Sequence, residues 1–139
     1  MSPYEELDRF LRLGARLENC RHERVGDMLG TVFELQSETE FYGLYHAAGR
    51  EEIASFELRE PRRGASFRGL LIAHLVTGKV GLDTLVERMG NPEPQSVDPM
   101  PRATPPRLGM FFALGRNRLG VTSIDAQGKP VESLAIHCL

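Results

Sequence analysis

The sequence predicts an α+β fold: two helix-plus-antiparallel-sheet units, a tandem arrangement sharing one sheet with helices on one side. Three observations predict it. Helical spacing of apolar residues is confined to short stretches that stop at glycine. The segments between them alternate apolar and polar residues in twos, as half-buried antiparallel strands do. A phrase also recurs, first as "HAAGREEIASFEL" (His46–Leu58) and again as "DAQGKPVESLAIH" (Asp125–His137). Ala47 matches Ala126, Gly49 matches Gly128, Ser55 matches Ser133, Phe56 matches Leu134 and Leu58 matches Ile136. The 139 residues thus read as one compact domain, with a first half at 1–66 and a second at 67–139.

Ser2-Pro3-Tyr4-Glu5 has the form of a capping box with proline in the first turn. Leu7, Phe10, Leu11, Gly14 and Leu17 follow at helical spacing, predicting a helix from Pro3 to about Cys20. Val25–Gly30 adds a turn of helix stopping at Gly30. Strands are expected at Thr31–Gln36, Phe41–Ala47 and Glu52–Arg59. In the last of these, Ala54, Phe56 and Leu58 alternate with Ser55, Glu57 and Arg59.

Leu70–Val76 is a continuous apolar run, and periodicity alone leaves strand and helix both open. Leu82, Leu85, Val86 and Met89 mark a short helix that Gly90-Asn91-Pro92 stops. Residues 91–107 hold six of the nine prolines, predicting an extended loop without regular structure. Strands at Leu108–Leu114, Leu119–Ile124 and Val131–Cys138 complete the chain, joined by the turns "GRNR" and "DAQGK".

Composition narrows function. The net charge of −2 lacks the basic excess of a nucleic-acid binder. No apolar window is long enough to span a membrane. The acidic N-terminal stretch does not resemble a secretory leader. With only Cys20 and Cys138, the expectation is two reduced thiols in a cytoplasmic protein.

The usual chemical signatures are missing. Cys20-Arg21-His22 and His137-Cys138 are the only close Cys/His pairs, and no C-x-x-C accompanies them. No metal site and no cofactor are expected. There is no G-x-S-x-G, and "GRNRLG" lacks the G-K-[ST] of a phosphate loop. The carboxylate pairs Glu5/Glu6 and Glu51/Glu52 read as solvated charge. No catalytic residue is therefore assigned, and the chain is expected not to be an enzyme.

Surface character remains. Residues 1–69 carry ten basic and thirteen acidic residues, whereas 70–139 carry seven and six. The acids concentrate between Glu34 and Glu60, where Arg50 and Arg59 are the only bases. If Phe56 and Leu58 pack under a helix, Ser55 and Glu57 face away, as do Ser133, Ala135 and His137 in the second copy. Glu40, Tyr45, Glu51, Glu52, Ser55, Glu57 and His137 are the expected partner-binding residues, with Tyr45 as an aromatic anchor.

The segment "GLDTLVERMGNPEP…RLGMFFALGRNRLGVTSIDAQGKPVESLAI" resembles the helix–GxP–sheet unit of the β-lactamase-inhibitor-protein-like superfamily. Gly90-Asn91-Pro92 and Asp125–Lys129 occupy its motif positions, while Pro130 delays the expected valine by one place. "SFRGLLIAHLVTGKVGLDTLVERMGNP" is similar to a phrase of bacterial toxin-immunity proteins, with Phe67, Gly69, Leu70 and Gly90–Pro92 in register. The Leu-Pro dipeptide usual there is replaced by Leu71-Ile72. The likeness covers roughly residues 67–138, with a fainter copy in 41–58. It implies a non-enzymatic protein that binds a secreted interbacterial toxin and occludes its active site. A small-ligand-binding or enzymatic α+β domain, and a secretion chaperone or adaptor, are the alternatives.

Overall fold

A computed structural model describes residues 3–64, 66, 68–94, 98–100, 107–123 and 130–138. The order is α1 (Glu5–Arg16), α2 (His22–Leu29), β1 (Glu34–Glu38), β2 (Tyr42–Ala48), β3 (Ile53–Pro61), β4 (Leu70–Leu75), α3 (Leu82–Met89), β5 (Asp98–Met100), β6 (Arg107–Leu114), β7 (Asn117–Ser123) and β8 (Val131–His137). The strands form one antiparallel sheet in the order β1-β2-β3-β4-β8-β7-β6-β5. Two four-stranded meanders thus join edge to edge where β4 meets β8. The fold is α+β, as the alternation predicts.

Register explains the repeated phrase. β3 and β8 flank β4 on either side, and the same residues of the phrase meet the same residues of β4. Ser55 and Ser133 both oppose His74, Phe56 and Leu134 both oppose Ala73, and Leu58 and Ile136 both oppose Leu71. Two strands that pair with one central strand need large apolar side chains beside Ala73 and Leu71 and small ones beside His74. The palindromic strand order, by contrast, relates β8 to β4 and not to β3. The repeat therefore marks a shared pairing partner. The "DAQGK" turn of the second copy lies outside the described residues.

One face of the sheet carries the core. Phe112, Leu119, Ile136, Leu71 and Leu58 form one buried row, and Met110, Val121, Leu134, Ala73, Phe56 and Ala47 the next. Leu7, Phe10, Leu11 and Leu13 from α1, Leu17 just after it, Val25 and Leu29 from α2, and Leu85 from α3 cover them. Phe10 sits 6.1 Å from Phe56, ring to ring. Gly14 lets α1 lie close: a Cβ there would meet Ile136 Cδ1 at 2.5 Å and Leu114 Cδ2 at 2.7 Å.

The helix ends are held by side chains from the sheet side. Helix α1 has no side-chain cap of its own at Tyr4. Glu52 replaces the expected capping box: its Oε1 accepts the Leu7 N–H at 2.6 Å. At the other end, buried Asn117 donates Nδ2–H bonds to the carbonyls of Gly14 (2.8 Å) and Leu17 (2.7 Å). Glu60 accepts the His22 N–H that opens α2, at 2.9 Å. Gly30 then stops α2 in the left-handed conformation, as expected from the sequence.

The choice left open for Leu70–Val76 is resolved: Leu70–Leu75 is the central strand β4. Two expectations need correction. The proline-rich segment 91–107 is not wholly irregular, because Asp98–Met100 pairs with β6; residues 95–97 and 101–106 lie outside the described set. Cys20 and Cys138 are not free thiols but a disulfide, with Cα atoms 6.5 Å apart. The bond ties the segment after α1 to the residue after β8, across 118 positions of sequence. Both cysteines are buried. Their proximity depends on α1 lying along the sheet, which no local pattern records. The cytoplasmic expectation loses its support from reduced thiols, since such a bond is what an oxidising compartment sustains. Among the described residues, no helix is long and apolar enough to cross a membrane.

Candidate docking face

The sheet face opposite the helices is open. Across its middle the register lines up Ala48, Ser55, His74, Ser133, Thr122 and Gly109. The next row is Glu34, His46, Glu57, Ile72, Ala135, Gly120 and Phe111. Beyond it stand Leu44, Arg59, Leu70, His137, Arg118 and Ala113. Strand pleat alone produces this face, because every second residue of each strand points there.

Three of the expected partner-binding residues, Ser55, Glu57 and His137, lie on it. Glu57 is the charged hub of its left half. Arg59 Nε donates to its Oε2 at 3.1 Å, and His74 Nε2 is 3.7 Å from its Oε1. Glu40 and Glu51 are exposed in turns at opposite ends of β2, and Glu51 adopts a positive φ of 54°.

Glu52 and Tyr45 are elsewhere. Glu52 is 5% exposed and caps α1, so it is a structural residue and not a contact. Tyr45 opposes Leu58 on the helix-bearing face. Its ring stacks on His22 at 4.2 Å, and burial together with the neighbouring Glu60 carboxylate raises the pKa of its hydroxyl. The alternation of β2 correctly separates Tyr45 from Leu44 and His46. It was the assignment of which face is covered that failed.

The right half of the open face holds residues the sequence did not single out. Gly109 and Gly120 floor a shallow depression of about 170 Å³, walled by Phe111, Thr122, Ala135 and His137. A Cβ on Gly120 would come within 3.3 Å of both His137 Nε2 and Phe111 Cε1. Arg118 lays its guanidinium 3.8 Å over the Phe111 ring and bonds Glu93 Oε2 at 2.9 Å. Burial, with a smaller contribution from Arg118, lowers the pKa of His137. The alternation of each strand of "GMFFALGRNRLGVTS" (Gly109–Ser123) was the available signal: Gly109, Phe111 and Ala113, and after the turn Arg118, Gly120 and Thr122, fall on the open side.

On the helix-bearing face His22, Glu23 and Glu60 converge, with candidate ligand atoms within 4.8 Å of one another. The two ring nitrogens are each engaged by a carboxylate: Nδ1 lies 3.1 Å from Glu60 and Nε2 3.1 Å from Glu23. A cation would have to displace one of these contacts. The cluster belongs with Tyr45 at the edge of the sheet.

A scan against protein-family models found no match for this chain, and searches of curated proteins and of solved structures found no significant one.

Proposed function

We propose that this chain is a non-enzymatic immunity protein, which binds a secreted interbacterial toxin domain and occludes its active site. The observation that carries the reading is the open face: a broad antiparallel sheet whose second side presents backbone and small side chains. Ser55, Ser133, Ala135 and Gly120 keep its middle low, with Glu57 in its left half and Phe111 in its right. Flat, mixed surfaces with a few aromatic and arginine anchors suit a protein partner. The depression beside His137 falls below the ~300–1,000 Å³ typical of small-molecule sites and fits a single side chain of a partner. The buried carboxylate that an enzymatic reading would want, Glu52, is already bonded to the α1 backbone. The likeness of Phe67–Pro92 to toxin-immunity proteins supplies the class of partner.

The inhibitor so proposed works where a disulfide persists. Its mechanism is steric cover by the sheet face, with acidic residues such as Glu51 and Glu57 steering association toward a basic cleft. The experiment is co-purification with the product of the adjacent gene under non-reducing conditions. A stable complex that abolishes that product's activity is the expected result. Failure to associate at micromolar concentrations contradicts the reading.

A further inference from the structure

The two edges of the sheet are built differently. β5 is three residues long with Pro99 at its centre, a blunted edge. β1 is five residues long, exposed throughout and, among the described residues, hydrogen-bonded to β2 on one side only. The exposed large hydrophobic residues among those described, Val32 (79%), Leu35 (49%) and Phe41 (56%), all stand in or beside β1. An unpaired edge flanked by exposed apolar side chains is the arrangement by which extended segments add to sheets.

Charge selects the occupant. Glu34, Glu38 and Glu40 are the ionised residues of the edge and its turn, and all are exposed. Arg62 stands at the same turn with its guanidinium bonded to the Thr39 carbonyl at 2.8 Å. On the helix-bearing side, the register sets Glu38 opposite Gly43, on the same face as Tyr45, whose ring stacks on His22 beside Glu23 and Glu60. A second copy of the chain would bring like charges together, so self-pairing through β1 is disfavoured.

We propose that β1 is a docking edge for an extended, cationic segment of a partner polypeptide, which adds as a further strand. Its apolar side chains cover Leu35, and its Lys or Arg residues meet Glu34 on the open face and Glu38 with the Tyr45 cluster on the other. Main-chain hydrogen bonds provide attachment, and the carboxylates provide selection. The inference stands independently of the toxin reading, because it rests on the strand order and the exposure of β1 and not on what covers the open face.

The test uses the intact, disulfide-bonded chain and three capped peptides. The Lys–Val peptide carries Lys-Lys-Val-Lys, so that Lys reaches both faces and Val covers Leu35; the Glu–Val peptide has Glu in place of each Lys; and the third is the Lys–Val peptide with every amide N-methylated. Amide hydrogen exchange and NMR shifts at residues 34–38 are the readout, with peptide up to about 1 mM. The Lys–Val peptide is expected to slow exchange across β1 at least fivefold, and the other two are not. Glu38→Lys is expected to weaken binding about tenfold while leaving the thermal midpoint unchanged, since the side chain is exposed. The proposal is overturned if the Lys–Val peptide leaves β1 exchange unchanged, if the Glu–Val or N-methylated peptide protects equally, or if the free chain dimerises through β1.

Discussion

Ser55 and Ser133 stand opposite the same residue, His74, one on each side of β4. This relationship places the two copies of the repeated phrase side by side on the open face. It also fixes which side chains of β3 and β8 face the open side: Ser55, Glu57, Ser133, Ala135 and His137. Their sequence neighbours Phe56, Leu58, Leu134 and Ile136 point into the core.

Glu52→Ala should destabilise the fold by about 2 kcal/mol, because it removes a charge-assisted bond to a helix N–H in a buried setting. Glu52→Gln should lose less, since the amide oxygen still accepts. Urea unfolding monitored by circular dichroism measures both. Equal stability of Glu52→Ala and the parent would mean that Glu52 does not hold α1.

The Cys20–Cys138 bond closes a loop spanning most of the chain. Cys20→Ser should lower unfolding free energy by about 4–5 kcal/mol on the chain-entropy estimate for a loop of this length. Because both sulfurs are buried, the thiols are counted after unfolding in denaturant without reductant, and thiol-reactive probes should then detect no free cysteine. Two titratable thiols in freshly purified material would refute the bond.

Close approach of α1 to β8 predicts that Gly14→Val is costly. The added methyls collide with Ile136 and Leu114, which should reduce stability by about 1–3 kcal/mol. A midpoint in thermal unfolding equal to the parent's would show that the helix can withdraw freely.

His137 gives stability a pH dependence. Its pKa is lowered in the fold by burial and by Arg118, so between that value and the unfolded value near 6.5 the unfolded chain binds more protons. Stability from this residue is therefore complete above about pH 6.5 and declines as pH falls through the window. His137→Gln should flatten that part of the profile. An unchanged slope between the parent and the variant would exclude His137 as its source.

Much of the fold was legible because strand alternation and glycine stops are local. The strands ending in Leu114 and starting at Val131, the stop at Gly30, and the break after Met89 all follow from neighbours in sequence. β4 was ambiguous because Leu70 and Ile72 are half-buried even on the open face, so its alternation is masked by apolar residues on both sides. Tyr45 was placed on the wrong face for a related reason. β2 alternates clearly, but only the pairing of Ala47 with Phe56 reveals which phase lies under the helices, and one residue of phase inverts every side chain. Glu52 as a cap and Cys20 as a bridge are long-range events. The sequence shows the donor and the acceptor in each case but not their meeting.

The central claim is that the open face binds a protein partner. Its most direct test is the dissociation constant for the product of the adjacent gene, measured by calorimetry in about 0.05 M and 0.5 M salt with four proteins: the parent, Ser55→Arg, Ala135→Arg and the Glu51→Lys/Glu57→Lys double variant. The account predicts at least a hundredfold weakening for Ser55→Arg and Ala135→Arg at both salts, because each raises a long charged side chain from a flat contact. The double variant should lose affinity mainly at low salt, where steering operates. Parent-like affinity in both arginine variants, with folding intact, would contradict the claim and move the interface off this face.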